Sequence, residues 1–236
     1  MRAERRDVAC QAEPADASDG RYDAAAYGDS CADFYDQLYP RLPAAVLSRL
    51  IQLAGGQPIL DLGIGTGRAA IPLARRGCEV WGIHASEAML RRLQERAAGL
   101  PVRAVRSDLA SFAVPQRFGL IGSLVNTLAL LPPEAQQDCL HCAASHLSHD
   151  GSVLIESIGP TARDEQTRIL VDTCSGPREY RVRLYASSPQ QLEVMAARAG
   201  LALKHLWRDW QGNAWHPAAN ECIAVYGKAE RPLDRP

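Results

Sequence analysis

An apolar strand that ends in an acid and runs straight into glycines at alternate positions leaves a chain few folds to choose from. Here that stretch is Ile59-Leu-Asp-Leu-Gly-Ile-Gly-Thr-Gly-Arg68. Gly63, Gly65 and Gly67 permit left-handed backbone and let the main chain approach a ligand, while a following helix would aim its N-terminus at negative charge. In a dinucleotide fingerprint the third glycine stands three residues after the second. Arg68 occupies that position here and the glycine comes one place earlier, which argues against a nicotinamide dinucleotide.

The pattern around the turn predicts alternating elements. Aromatics Tyr27, Phe34, Tyr35 and Tyr39 recur at roughly helical spacing across 27–38, and Pro43 opens a helix through Ala54 that Gly55-Gly56 ends. A strand at 58–60, a helix over 66–76, a strand at 79–83 and a helix over 86–98 follow. Tandem βα units imply a parallel sheet. Strands at 102–105 and 118–124, a helix over 134–147 and a strand at 152–158 after the Asp150-Gly151 turn complete a doubly wound α/β core. Beyond Pro160 the pattern changes to strand-like alternation at 178–185 and a helix over 189–199 ending at Gly200. Strands at 203–210 and 221–226 are placed as an antiparallel hairpin on the sheet edge. Residues 1–20 lack hydrophobic periodicity and read as a flexible leader outside the fold, and 230–236 as a tail.

Composition narrows the partners. Among 236 residues, 26 basic and 27 acidic side chains are mixed along the chain, so neither a nucleic-acid footprint nor a polybasic membrane anchor is visible. The longest apolar stretch, 121–131, is too short to span a bilayer and contains Asn126 and Thr127. Arg2, Arg5 and Arg6 are not followed by an apolar run, so no signal peptide is read. Seven cysteines without regular spacing suit a reducing cytoplasm better than a disulfide framework. The expected partner is a small molecule, with a homodimer as the assembly to consider.

The glycine stretch resembles motif I of the class I S-adenosylmethionine (SAM) dependent methyltransferases, which have a Rossmann-like fold. Val80-Trp-Gly-Ile-His-Ala-Ser-Glu-Ala-Met-Leu90 is similar to that family's second motif, and Ser107-Asp108-Leu109 to its adenine-contacting segment. The likeness runs from about Tyr22 to Lys228 and reaches the small-molecule methyltransferases of natural-product pathways, including the sugar N-methyltransferases. It covers Tyr35-Asp36 with Tyr39, Val125-Asn126-Thr127-Leu128, the segment 136–151, Leu192 to Leu201, and Trp207-Arg-Asp-Trp210. It implies one SAM-binding domain over 21–229.

By this resemblance Asp61 orients the methionine ammonium, the backbone of Gly63 and Gly65 faces the methionine and ribose, and Gly67 completes the turn. Asp108 accepts from the adenine amino group, or serves as a turn aspartate, with Leu109 beside the ring. Tyr27 and Tyr35 sit where the leader helix closes over SAM, and packing explains them as well as ligand contact does.

Three positions depart from the family pattern. Where relatives carry an acid that accepts from both ribose hydroxyls, this chain has His84, whose neutral imidazole offers one acceptor. One lost bond costs about 1 to 2 kcal/mol, roughly tenfold in affinity. Glu87 fits a first-turn acid favoured by the helix dipole, or a substitute that folds back to the ribose. Phe118-Gly119-Leu120 lacks the usual acid, and the connection from Glu156 to Tyr185 is shorter than a substrate-covering insertion.

Two other constellations invite a functional reading. Cys139, Cys142, His146 and His149 share a helical stripe, yet ten residues of helix rise about 15 Å, too far to surround one tetrahedral ion. Ala143 and Leu147 continue that stripe as a core face, so no metal is expected. Trp207, Trp210 and Trp215 suit either an apolar acceptor pocket or a hairpin packed on the sheet.

Methyl transfer from a sulfonium is an in-line displacement with an activated donor, so the protein chiefly aligns and desolvates the acceptor. An amine acceptor needs only to arrive neutral. A hydroxyl benefits from a base, for which Tyr35, His84 and His216 are the candidates. The resemblance thus predicts SAM-dependent N- or O-methylation of a small secondary metabolite. The alternative is a methyltransferase-fold protein that has lost transfer and acts as a cyclase or binding partner.

Overall fold

The computed structural model describes residues 10–11, 22–39, 41–158 and 165–229. In chain order the elements are β1 (Cys10–Gln11), α1 (Ala26–Cys31), α2 (Tyr35–Leu38), α3 (Ala44–Ala54), β2 (Ile59–Leu62), α4 (Ala70–Ala74), β3 (Val80–His84), α5 (Glu87–Arg96), β4 (Val102–Arg106) and β5 (Phe118–Ser123). A 3-10 turn (Leu128–Leu130), α6 (Pro133–His146), β6 (Leu147–Ile158), β7 (Glu165–Thr173), β8 (Gly176–Leu184), α7 (Pro189–Arg198), β9 (Leu201–Trp207) and β10 (Glu221–Lys228) follow.

Seven strands form one sheet in the order β4-β3-β2-β5-β6-β10-β9. The pairs among β4, β3, β2, β5 and β6 are parallel, and β10 runs antiparallel to both β6 and β9. Central β2 and β5 are buried at every position, because helices cover both faces. From β2 the chain winds outward to β3 and β4, then returns to place β5 on the other flank. The strand order reverses between β2 and β5, the place where open α/β sheets form a ligand crevice.

Local chemistry explains the helix limits. The α3 stripe Val46, Leu47, Leu50 and Ala54 is buried, and Gly55 at φ 57° ends the helix in a left-handed cap. The Ser86 hydroxyl caps α5 by accepting from Met89 N, and Ser188 with Gln191 forms a capping box on α7.

Several expectations are corrected. The aromatic segment expected to run as one helix over 27–38 breaks into α1 and α2, with Phe34 buried at the break. The helix expected over 66–76 contracts to Ala70–Ala74, since the glycine turn extends through Gly67 at φ 89°. The Asp150-Gly151 turn is instead an irregularity within β6, where the register on β5 shifts between Phe118 and Leu120. The C-terminal strands form the expected antiparallel hairpin at the sheet edge, with β9 outermost.

A second sheet, β1-β7-β8, accounts for the connection after Glu156. Its β7 strand was not anticipated. Cys10 and Gln11, within the stretch read as lying outside the fold, pair with Ile169 and Arg168 of β7. The rest of the leader and the tail lie outside the described residues. No helix among the described residues is long and apolar enough to cross a membrane.

Candidate functional site

At the tip of β2, Gly63, Gly65 and Gly67 all adopt positive φ, at 78°, 53° and 89°. Each meets a different neighbour. A Cβ on Gly63 would lie 2.5 Å from Thr127 Cγ2, across the crevice, whereas one on Gly67 would lie 2.5 Å from Leu93 Cδ1 of α5. Gly63 and Gly65 line the crevice; Gly67 serves the packing of the turn on α5 and lines neither cavity described below.

Asp61, one turn below, is 7 % exposed, and no side chain among the described residues hydrogen-bonds to it. Burial pushes its carboxyl up to about 7, against a lowering influence from Arg68. A buried carboxyl that no described side chain hydrogen-bonds fits a cationic partner such as the methionine ammonium of SAM. Together with the glycine cradle, the donor set fits that ligand.

His84 ends β3 beside the turn and lines both cavities. Its Nδ1 accepts from the Ser86 backbone N–H at 2.9 Å. Burial lowers the imidazole to about 4, with Asp29 acting in the opposite direction, so the ring is neutral and its proton resides on Nε2. The sequence reading is sharpened: the acceptor nitrogen is already used, and what His84 can offer a ligand is a donor. Asp29 is tied into the same cluster, accepting from Ser86 Oγ at 2.5 Å. Glu87 does not reach toward the crevice; it accepts from Arg106 at 2.7 Å on the surface.

Asp108 Oδ1 accepts from Ala110 N at 2.9 Å, so the turn role is real, and Tyr22 Oη lies 3.4 Å from the same oxygen. Leu109 and Tyr22 line the adjoining cavity of about 580 Å³.

The opposite wall was largely missed by sequence reasoning. Val125 and Asn126, just after β5, both have left-handed backbone, φ 52° and 61°, which for a β-branched residue is an outlier. Glu156 near the end of β6 holds them: its Oε2 accepts from Val125 N at 2.7 Å and its backbone O from Asn126 N at 3.3 Å. Its Oε1 accepts from Trp210 Nε1 at 3.0 Å. The available signal was its position, an acid near the carboxyl end of a parallel strand.

Tyrosines close the crevice. Tyr27, Tyr35, Tyr39 and Tyr180 line an inner cavity of about 190 Å³ together with Gly63, Gly65 and Asn126. Tyr27 Oη and Tyr39 Oη are 3.1 Å apart, the Tyr35 and Tyr39 ring centroids 4.6 Å, and those of Tyr27 and Tyr180 6.0 Å. Asp36 latches α2 onto the glycine turn, accepting from Thr66 Oγ1 at 2.6 Å and pairing with Arg96.

Other candidates fall elsewhere. His216 lies in the β9–β10 connection with Nε2 3.3 Å from Arg208 and lines neither cavity, so it is not a base here. Trp207 stacks under Arg49, 4.9 Å from its ring centroid, and Trp215 packs on the core; neither lines the inner or the larger cavity. Cys139 and Ala143 are fully buried, whereas His149 is exposed, so the stripe does not converge. Gly119 has a packing reason: a Cβ there would sit 2.4 Å from Ala54 O at the end of α3.

The turn, the buried acid and the crevice at the strand reversal are those of the Rossmann-like, class I methyltransferase fold. Residues 59–151 match the family model described as a methyltransferase domain. Cypemycin N-terminal methyltransferase of a Streptomyces species is 27% identical over 143 residues, covering 58% of this chain; the match spans 58% of that relative's length. The CcbJ methyltransferase from Streptomyces caelestis superposes with a TM-score of 0.79 at 29% identity, covering 89% of this chain and 100% of that one. SAM-bound CalS10, an amino pentose methyltransferase from Micromonospora echinaspora, shares the fold at a TM-score of 0.58 and 18% identity, over 77% of this chain and 89% of that one. Over residues 59–151 in sequence and over most of its length in fold, the chain is similar to methyltransferases of the class I, Rossmann-like type.

Proposed function

We propose that the protein transfers the SAM methyl group to a small-molecule acceptor of secondary metabolism. The observation that carries this reading is the inner cavity. It has the glycine turn on one side, tyrosines and Asn126 on the other, and shares Gly63, His84 and Tyr27 with the larger cavity. A sulfonium methyl held over Gly63 and Gly65 would point into a small pocket walled largely by aromatic and apolar side chains, and alignment of this kind is most of what such a transfer needs.

In this reading Asp61 receives the methionine ammonium. Asp108 accepts from the adenine amino group through its second oxygen, Leu109 packs beside the ring, and Tyr22 covers it. His84 donates Nε2–H to a ribose hydroxyl. Tyr27 and Tyr35 shield the reacting centre. When bound, SAM supplies an activated methyl group, and the side chains orient the acceptor and keep solvent out.

The test pairs calorimetry with SAM against release of S-adenosylhomocysteine (SAH) in the presence of amine and hydroxyl acceptors. Stoichiometric SAM binding with acceptor-dependent SAH release is expected. SAM binding with no SAH release for any acceptor class would refute transfer.

A further inference from the structure

Within the inner cavity the described titratable side chains are Tyr27, Tyr35, Tyr39, Tyr180 and His84. Burial raises the phenols of Tyr27, Tyr35 and Tyr180 well above their ordinary range, so these hydroxyls keep their protons. His84 cannot act as a base through Nδ1, which is occupied by Ser86 N, and its Nε2 already carries hydrogen. The described wall therefore suits poorly an acceptor that must surrender a proton to react. It suits a cation well. Four electron-rich rings, coming from α1, α2, the residue after α2 and β8, line one small space, and an aromatic ring stabilises a cation by about 0.5 to 1 kcal/mol at an exposed site and about 2 kcal/mol at a desolvated one. Asn126 adds an amide that takes no hydrogen bond from a described side chain and can accept one N–H of an incoming amine.

We infer that the inner cavity is an ammonium-binding tyrosine cage and that the atom methylated is an amine nitrogen. This rests on the methyltransferase reading above and adds the acceptor class to it. The amine enters in its neutral form, its proton left to solvent outside the cavity, and its nitrogen lone pair forms the new C–N bond as the C–S bond breaks, so that the ammonium held by the rings is the product. The bonding pair stays on sulfur, which becomes a neutral thioether, and the positive charge passes to nitrogen. An N–H proton leaves afterwards to solvent. One positive charge thus remains among the rings from reactant to product, so the same quadrupoles stabilise both ends and the transition state between them. A hydroxyl acceptor would create an oxonium, whose proton His84 is not placed to take, since its Nδ1 accepts from Ser86 N and its Nε2 carries hydrogen.

The experiment uses the full chain loaded with SAH. Tetramethylammonium chloride is titrated by calorimetry, with tert-butanol as an uncharged probe of similar shape, into the wild type, Tyr180→Leu, Tyr27→Leu and Tyr180→Phe. Tetramethylammonium should bind at least about tenfold more tightly than tert-butanol, with each leucine variant losing about fivefold or more and Tyr180→Phe staying within about twofold. Equal binding of the two probes by the wild type would overturn the cage, as would tetramethylammonium binding indifferent to both leucine substitutions. SAH is titrated in the same samples, so a variant that fails to fold is recognised by its loss of SAH binding and the wild-type comparison decides alone. Failure of the wild type to bind SAH would instead sink the methyltransferase reading.

Discussion

The residue at the end of β3 allows a quantitative test. His84→Asp exchanges a single donor, Nε2–H, for a carboxylate with about four acceptor sites. Two ribose hydroxyls can then donate to a charge, each bond being worth about 1.5 to 3 kcal/mol, in place of one neutral bond of about 1 kcal/mol. Two features of the structure work against that gain. The position is buried enough to drive an imidazole to about 4, so the carboxylate is partly desolvated, and the Asp29 carboxylate stands nearby, bound to Ser86 Oγ at 2.5 Å. A net tightening of about 1 to 2 kcal/mol, on the order of tenfold, remains for both SAM and SAH. Calorimetry with SAH and its 2′- and 3′-deoxy analogues reads it directly. Removing either hydroxyl should cost the variant more than the wild type, and adding Asp29→Asn should tighten binding further. Unchanged or weaker SAH binding in both backgrounds would refute the placement of His84 against the ribose.

Asp61 predicts a pH dependence. Its carboxyl in the free protein is raised to about 7, so below that pH it must lose a proton to receive an ammonium; SAM affinity should fall by up to about tenfold per unit from pH 7 downward, with proton uptake by the buffer on binding. The same shift makes the free protein less stable as pH rises from about 4 to 7, where the unfolded chain is ionised and the native carboxyl is not. An affinity independent of pH between 5.5 and 7 by calorimetry, or a slope that survives Asp61→Asn, would contradict this. Gly63→Ala strains a backbone at φ 78° and drives a Cβ against Thr127, so SAM binding should drop at least about tenfold while Gly99→Ala, where nothing lies within 4 Å, leaves it unchanged. Glu156→Ala should lower kcat about tenfold or more by releasing the Val125-Asn126 turn, with the Kd for SAM within about twofold; Glu156→Gln, which still accepts from Val125 N, should recover much of the rate. Equal effects on kcat and SAM affinity would assign Glu156 a general structural role instead.

The central sheet was legible because its strands obey local rules. Residues 58–60, 79–83 and 118–124 are apolar runs bounded by turn signals, and strands buried on both faces look that way. The second sheet was not. Among the described residues its β7 strand pairs with β8 and a two-residue β1, partners that no local turn signal before it announces. The α4 boundary failed for a different reason: helical periodicity in the sequence continued through residues whose conformation the glycine turn had already set.

At the site, what the sequence shows and what it hides divide along range. Gly63 and Asp61 are recognisable because their roles follow from backbone conformation and chain order. Glu156 and Tyr180 acquire theirs only when β6 meets the turn after β5 and when the β7–β8 hairpin folds over α1. His84 lies between the two cases. Its identity was plain, but which nitrogen carries the proton depends on the Ser86 N–H, two residues on, turning back to Nδ1.

That distinction bears on whether departures from a family pattern mean a lost reaction. Gly119 stands where an acid was anticipated, yet it faces Ala54 O and Gln57 Cβ near the start of β5, at the end of the strand away from Thr127, so close helix packing is reason enough for it. The short connection after Glu156 is no gap in the substrate wall, because it contains the hairpin that delivers Tyr180 to the inner cavity. On the proposed reading only His84 changes a group that faces the ligand, and there its Nε2–H meets a ribose hydroxyl rather than the methyl. A weakened ribose contact affects the ground state and the transition state alike, since the ribose does not change during transfer. On that reading the change should act on SAM affinity and leave kcat at saturating SAM intact, as expected of an enzyme tuned in its cofactor demand rather than of one that has abandoned the chemistry.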